Sequence, residues 1–218
     1  MLNTIQHGDN KELIRDIPDH SVHLLITDPP YARDVCVEAC EWLAEEAPRV
    51  LTPGGSLVVL IGQVTLPVVA HALAQTLQFR WPLCMAQLAG KHAQMRLSGV
   101  EVWWKLALWF TNGKLPNERR YQMNLIRDLV EVPVSGGGVT KANHEWEQSM
   151  EWSDYYVEQM TFEGETVLDP YCGSGTFPAS AAKLGRNYIG FDIDPEAAAT
   201  ARQRIASLQH PLLTPRSE

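Results

Sequence analysis

The sequence predicts an α/β protein built on a mostly parallel sheet, and three observations carry that expectation. Short apolar runs alternate with longer amphipathic stretches along most of the chain. The alternation becomes a regular strand–helix–strand–helix order over residues 166–208. The chain has 218 residues, 45% of them hydrophobic and 20% charged, which is enough for one sizeable core and too little for two.

The elements follow in order. Residues 22–27 (VHLLIT) read as a strand stopped by DPP, and residues 34–50 repeat apolar positions at helical spacing until LTPGG ends them. Residues 56–61 (SLVVLI) predict a buried strand and 66–77 the helix after it. Two consecutive strands, 79–88 and 101–111, are joined by the polar connection AGKHAQMRLSGV. Trp103, Trp104 and Trp109 in the second of them read as core and cleft wall. Residues 112–143 break the rhythm with LPNERRYQ and three successive glycines at 136–138, so they read as an insertion on one domain. A helix over 146–160 leads into strand 166–168, a helix from Phe177, strand 188–191 and a last helix over 196–208.

Composition excludes several classes. No apolar run approaches the ~20 residues of a membrane span, and the N-terminus lacks a signal-peptide layout. Four cysteines (Cys36, Cys40, Cys84, Cys172) do not make a disulfide framework, so a cytoplasmic protein is the default. Cys36 and Cys40 share a helical face without zinc spacing and read as small buried residues. The net charge is −8, but residues 80–145 hold nine Lys/Arg against five Asp/Glu. That local balance of +4 leaves −12 for the rest and is compatible with contact to a polyanion.

Two motifs stand at strand ends. VLDPYCGSGTF (167–177) runs a strand into Asp169, then a turn with Gly173, Ser174 and Gly175, then a helix. Glycines allow close backbone approach or positive φ, and the free N–H groups of the helix face the turn. It is not a dinucleotide fingerprint, because Pro178 replaces the third glycine, and it lacks the Gly-Lys-Ser/Thr of a P-loop. Asp192 in GFDIDPE follows at the spacing of a carboxylate that binds ribose hydroxyls, with Asp194 as a substitute. The second motif, TDPPY (27–31), stiffens a turn with two prolines and leaves carbonyls as acceptors. Asp28 and Tyr31 could then form a pocket that accepts from an amino group and stacks on a flat ring; a rigid surface turn reads equally well.

DPPY, VLDPYCGSGTF and IGFDIDPE together resemble the S-adenosylmethionine-dependent DNA amino-methyltransferases, which modify adenine N6 or cytosine N4. With DPPY first and the glycine loop last, the order resembles the circularly permuted β-group. HGDN (7–10), LTPGGSLVVL (51–60), WWKLALWF (103–110) and NHEWEQSMEW (143–152) add matches, the last two closest to phage- and prophage-type DNA methylases. The resemblance covers nearly the whole chain except about 85–100 and 112–142. It implies one Rossmann-like methyltransferase domain over 1–218, with a mostly parallel seven-stranded sheet and helices on both faces. In spatial order the strands would be 3–6, 188–192, 166–169, 22–27, 56–61, 101–111 and 79–88. Both motifs would then face one cleft at the switch point.

The resemblance also implies roles. Asp28 and the Pro29 carbonyl would hold the target amine of a flipped base, with Pro30 shaping the turn and Tyr31 stacking on the base. Around S-adenosylmethionine would stand Tyr171, Gly173, Ser174 and Gly175, with Asp169 nearby. Asp192 would take its ribose, Asp9 its adenine amine, and Gln148 and Ser149 its carboxylate. No metal is implied. Lys91, Arg96, Lys114, Arg119, Arg120 and Lys141 are the candidates for phosphates of double-stranded DNA. The short insertion suggests a short target or loose specificity and a homodimer sharing the DNA; any restriction nuclease would be a separate chain. Adenine N6 is the favoured target. Cytosine N4, RNA or protein glutamine, and a non-catalytic nucleoside- or DNA-binding module are the alternatives.

Overall fold

The computed structural model describes residues 2–87, 93–95, 98–115, 125–132 and 150–209. The strands are β1 (Thr4–His7), β2 (Val22–Thr27), β3 (Leu51–Ile61), β4 (Gln78–Gln87), β5 (Ala93–Met95), β6 (Val100–Val102), β7 (Trp104–Thr111), β8 (Leu129–Val132), β9 (Thr166–Asp169) and β10 (Asn187–Asp192). The helices are α1 (Asn10–Leu13), α2 (Arg33–Val50), α3 (Leu66–Leu73), α4 (Met150–Met160), α5 (Thr176–Lys183) and α6 (Pro195–Gln209).

Eight strands form one sheet in the order β1-β10-β9-β2-β3-β7-β4-β8. The first seven reproduce the spatial order expected from the sequence. β7 runs antiparallel to β3 and β4, and the other pairings are parallel. The central strands are buried on both faces, as in a sheet covered by helices on either side: β2 and β9 are almost wholly without exposure. One core lies under α2 and α3 and takes Leu25, Leu43, Leu57, Leu108 and Phe110. The other holds Leu24, Ile26, Val58, Trp152, Tyr156 and Phe177. Alternate residues of β2, β3 and β7 feed opposite cores, the two-residue period of a strand.

Several boundaries differ from the sequence reading. β8, from the middle of the supposed insertion, pairs with β4 and makes the sheet eight-stranded (Cys84 opposite Leu129). The expected strand 101–111 is broken at Trp103: β6 pairs antiparallel with β5, which lies inside the supposed polar connection, as a separate two-stranded sheet. LTPGG does not merely end α2. Leu51 already pairs with Val22, and Gly54 N–H donates to the Asn112 carbonyl, so the ladder carries across the breaker. The helix expected over 66–77 ends at Leu73. Trp103 and Trp104 are exposed at the start of β7 instead of core, because that end projects beyond β3; Trp109 is half-buried and donates to Ser56 Oγ at 3.0 Å. Cys36 and Cys40 are fully buried.

Candidate active site

β9 and β2 are neighbours, with Leu24 opposite Val167 and Leu25 opposite Leu168. Their carboxyl ends therefore sit side by side, where open α/β sheets take ligands. Thr27 Oγ1 donates to Asp169 Oδ1 at 2.7 Å across this junction, and Tyr171 N–H donates to the same oxygen at 3.1 Å. Asp169 is 1% exposed, and burial pushes its pKa up to about 8 although both hydrogen bonds pull it down. It braces the two loops from beneath.

Above it lies a cavity of about 350 Å³ lined by Gly8, Asp9, Asn10, Asp28, Pro30, Pro170, Tyr171, Gly173, Asp192 and Ile193. The volume is within the range of small-ligand sites. Asp192 holds the glycine turn: its Oδ2 accepts from Gly173 N–H at 2.7 Å and its Oδ1 from Asp194 N–H at 2.9 Å. Asp194 therefore supports Asp192, and Asp192 is the acid that lines the cavity. Asp9 caps α1 by accepting from Lys11 N–H at 2.8 Å. Asn10 Nδ2 ties this loop to the Pro170 carbonyl at 3.1 Å. Trp42 of α2 meets the Tyr171 ring edge-on at 6.1 Å, which fixes one wall.

Gly175 begins α5 at φ 81, and a Cβ there would come within 2.6 Å of the Ala201 Cβ. Only glycine lets α6 close on the turn. Ser174 faces α6, with Arg204 Nη1 at 3.5 Å from its Oγ and 3.1 Å from Thr176 Oγ1. Among the described residues, three carboxylates and no lysine or arginine line the cavity. That charge suits a cationic ligand and disfavours nucleotide phosphates.

DPPY sits on the same rim. Pro29 is buried, while Pro30 and Tyr31 are exposed. Lys105 Nζ lies 3.9 Å from Asp28 Oδ2 and over the Tyr31 ring, 5.7 Å from its centroid. Burial lowers the Lys105 pKa and Asp28 opposes that shift.

Lys114 falls elsewhere. It follows β7 at the end where Thr111 pairs with Ser56, about 20 Å along the strand from Lys105. The sheet separates it from the cleft. Gln148, Ser149, Lys91, Arg96, Arg119, Arg120 and Lys141 lie outside the described residues. The sequence reading missed Gly8, Asn10, Pro170, Ile193 and Lys105. Asn10 was within reach through HGDN, whereas a single lysine in an apolar strand gives no local signal.

A family model described as DNA methylase, of the N6/N4 class, matches residues 101–203. The Type II methyltransferase M.BglII of Bacillus subtilis is 27% identical over 252 residues, covering 94% of this chain and 69% of that protein. M.BamHI of Bacillus amyloliquefaciens is 26% identical over 235 residues, covering 88% and 55%. This chain spans only part of these relatives' length. Among solved structures, the M1.HpyAVI–SAM complex aligns at TM-score 0.76 and 24% identity over 93% of this chain and 98% of that one. The PvuII DNA methyltransferase, cytosine-N4-specific, aligns at TM-score 0.79 and 18% identity over 100% and 89%.

Over residues 101–203 the chain is similar to the DNA methylases of the N6/N4 class, and along most of its length to Type II methyltransferases. In this chain DPPY precedes the glycine loop in sequence, and the β2–β9 junction brings both to one rim. The acidic cavity agrees with a cofactor that carries a sulfonium and an ammonium.

Proposed function

We propose that this chain methylates the N6 amine of adenine in double-stranded DNA. The observation that carries the proposal is that Asp28 and Pro30 of DPPY share one cavity with Gly173, Asp192 and Asp9. An acceptor for an amine thus stands beside a site suited to a cationic nucleoside. Asp at the first position of the tetrapeptide leans towards adenine, where Ser leans towards cytosine N4.

S-adenosylmethionine, when bound, supplies an electrophilic methyl group. The rest falls to the chain. Asp192 would take the ribose, Asp9 the adenine amine, and Tyr171, Gly173, Ser174 and Gly175 the methionine end, with Gln148 and Ser149 the proposed holders of its carboxylate. Asp169 acts on the site by holding Thr27 and Tyr171. The exocyclic amine of the target base is a weak nucleophile because its lone pair is shared with the ring. Hydrogen bonds from its two N–H groups to the Asp28 carboxylate and the Pro29 carbonyl favour a tetrahedral nitrogen. The carboxylate also stabilises the positive charge that develops there. Tyr31 stacks on the base once it is flipped from the duplex. Lys91, Arg96, Arg119, Arg120 and Lys141 remain the proposed phosphate contacts; Lys114 does not.

The test is incubation with S-adenosylmethionine and unmethylated DNA, then mass spectrometry of the digested nucleosides. N6-methyladenosine supports the proposal. N4-methylcytosine keeps the mechanism and moves the target. No modified nucleoside despite cofactor binding by calorimetry would direct attention to RNA or protein. Failure of cofactor binding as well would leave an accessory module.

A further inference from the structure

Lys105 opens the cleft end of β7, a strand that otherwise reads as apolar and aromatic (WKLALWFT). Its side chain is only 23% exposed. A lysine that merely filled a strand end would carry its ammonium into water. This ammonium is turned onto DPPY instead, 3.9 Å from Asp28 Oδ2 and 5.7 Å from the centre of the Tyr31 ring. At 3.9 Å the two charges attract without a direct hydrogen bond. Removing an ammonium from water in this way is costly unless its donors gain a partner. Burial accordingly lowers the Lys105 pKa, against the pull of Asp28.

The rim thus presents an acceptor and a donor side by side, at the edge of an aromatic face. Adenine and cytosine share the complementary edge: an amine donor beside a ring-nitrogen acceptor, N1 in adenine and N3 in cytosine. Guanine differs, because the ring nitrogen beside its amine on the Watson–Crick edge, N1, carries a proton, and thymine has no amine. We propose that Lys105 donates a hydrogen bond to the ring nitrogen next to the target amine while Asp28 accepts from that amine. The pair reads the Watson–Crick edge of the flipped base and sets its register on Tyr31. This inference rests on the methyl-transfer reading above.

The test uses a duplex whose methylated position has been mapped, and the same duplex with 1-deazaadenine there, which replaces N1 by C–H. (If cytosine is the target, 3-deazacytosine takes its place.) Lys105→Met is expected to lower kcat/KM on the natural base about 10- to 100-fold, as for a lost hydrogen bond to a charged donor. The deaza base should cost the wild type a similar factor and cost Lys105→Met nothing further, and Lys105→Arg should recover part of the loss. Calorimetry with S-adenosylmethionine, unchanged in both variants, excludes misfolding. Losses that multiply in the combined case overturn the proposal, as does a wild type indifferent to the ring nitrogen. A wild type that methylates no DNA at all fails earlier, and overturns the parent reading together with this one.

Discussion

At the scale of single residues, the site depends on side chains whose neighbours leave them little choice. Gly175 combines φ 81 with a helix so close that a Cβ would meet Ala201 at 2.6 Å. Gly175→Ala is expected to cost about 1–3 kcal/mol, through strain and forced displacement of α6, read as a lower urea midpoint. Asp28 has a different character. It is half-buried on the rim and faces Lys105. Asp28→Ala should lower methyl transfer by at least about 10²-fold while calorimetry still shows S-adenosylmethionine bound. A variant with near wild-type turnover would remove Asp28 from the reaction. The glycine turn and Asp192 were legible from spacing, whereas the role expected of Asp28 came from the family resemblance, since a rigid turn read equally well there. Lys105 was not legible, because its partners Asp28 and Tyr31 lie far away in the chain.

At the scale of elements, the β2–β9 junction joins the two halves of the site. Asp169 ends β9 beneath both loops and accepts from Thr27 at the end of β2. Burial raises its pKa to about 8, from an ordinary value of 3.8. The fold therefore favours the protonated acid, whereas the unfolded chain ionises it near pH 4. The stabilising contribution is complete below that pH and is lost as pH rises towards 8. Urea midpoints of the wild type are expected to decline between pH 4 and 8 more steeply than those of Asp169→Asn, which keeps a neutral group of the same shape. Equal slopes would show that Asp169 is ionised in the fold. The places of most strands were readable because they are short apolar runs between breakers, while their spatial order came from the family resemblance. β8 and the β5–β6 pair were missed because their runs are short and set among polar residues.

At the scale of the whole molecule, charge is divided between two tasks. The cavity is lined by acids, while the basic excess lies in residues 80–145. No helix among the described residues is long and apolar enough to cross a membrane. Replacing Arg119 and Arg120 with alanine should weaken DNA binding to a similar degree across sequences and reduce the slope of log affinity against log salt by about 2. Lys114→Ala should leave that slope unchanged, since the sheet stands between it and the cleft. Titrations of DNA binding at several salt concentrations separate the two cases.

The sequence by itself determined the α/β class and the place of both loops, and its resemblance to a known family implied the strand order. Apolar periodicity, glycine conformational freedom and proline stiffness are local properties, written wherever the residues stand. The tertiary structure alone decided which groups meet. It set Asp169 beneath the site, put Asp194 in support of Asp192, and moved Lys114 to the far end of the sheet. It also turned Lys105 onto DPPY. These are meetings between strands distant in the chain, fixed by register and by which face each residue presents, and only the assembled sheet sets both.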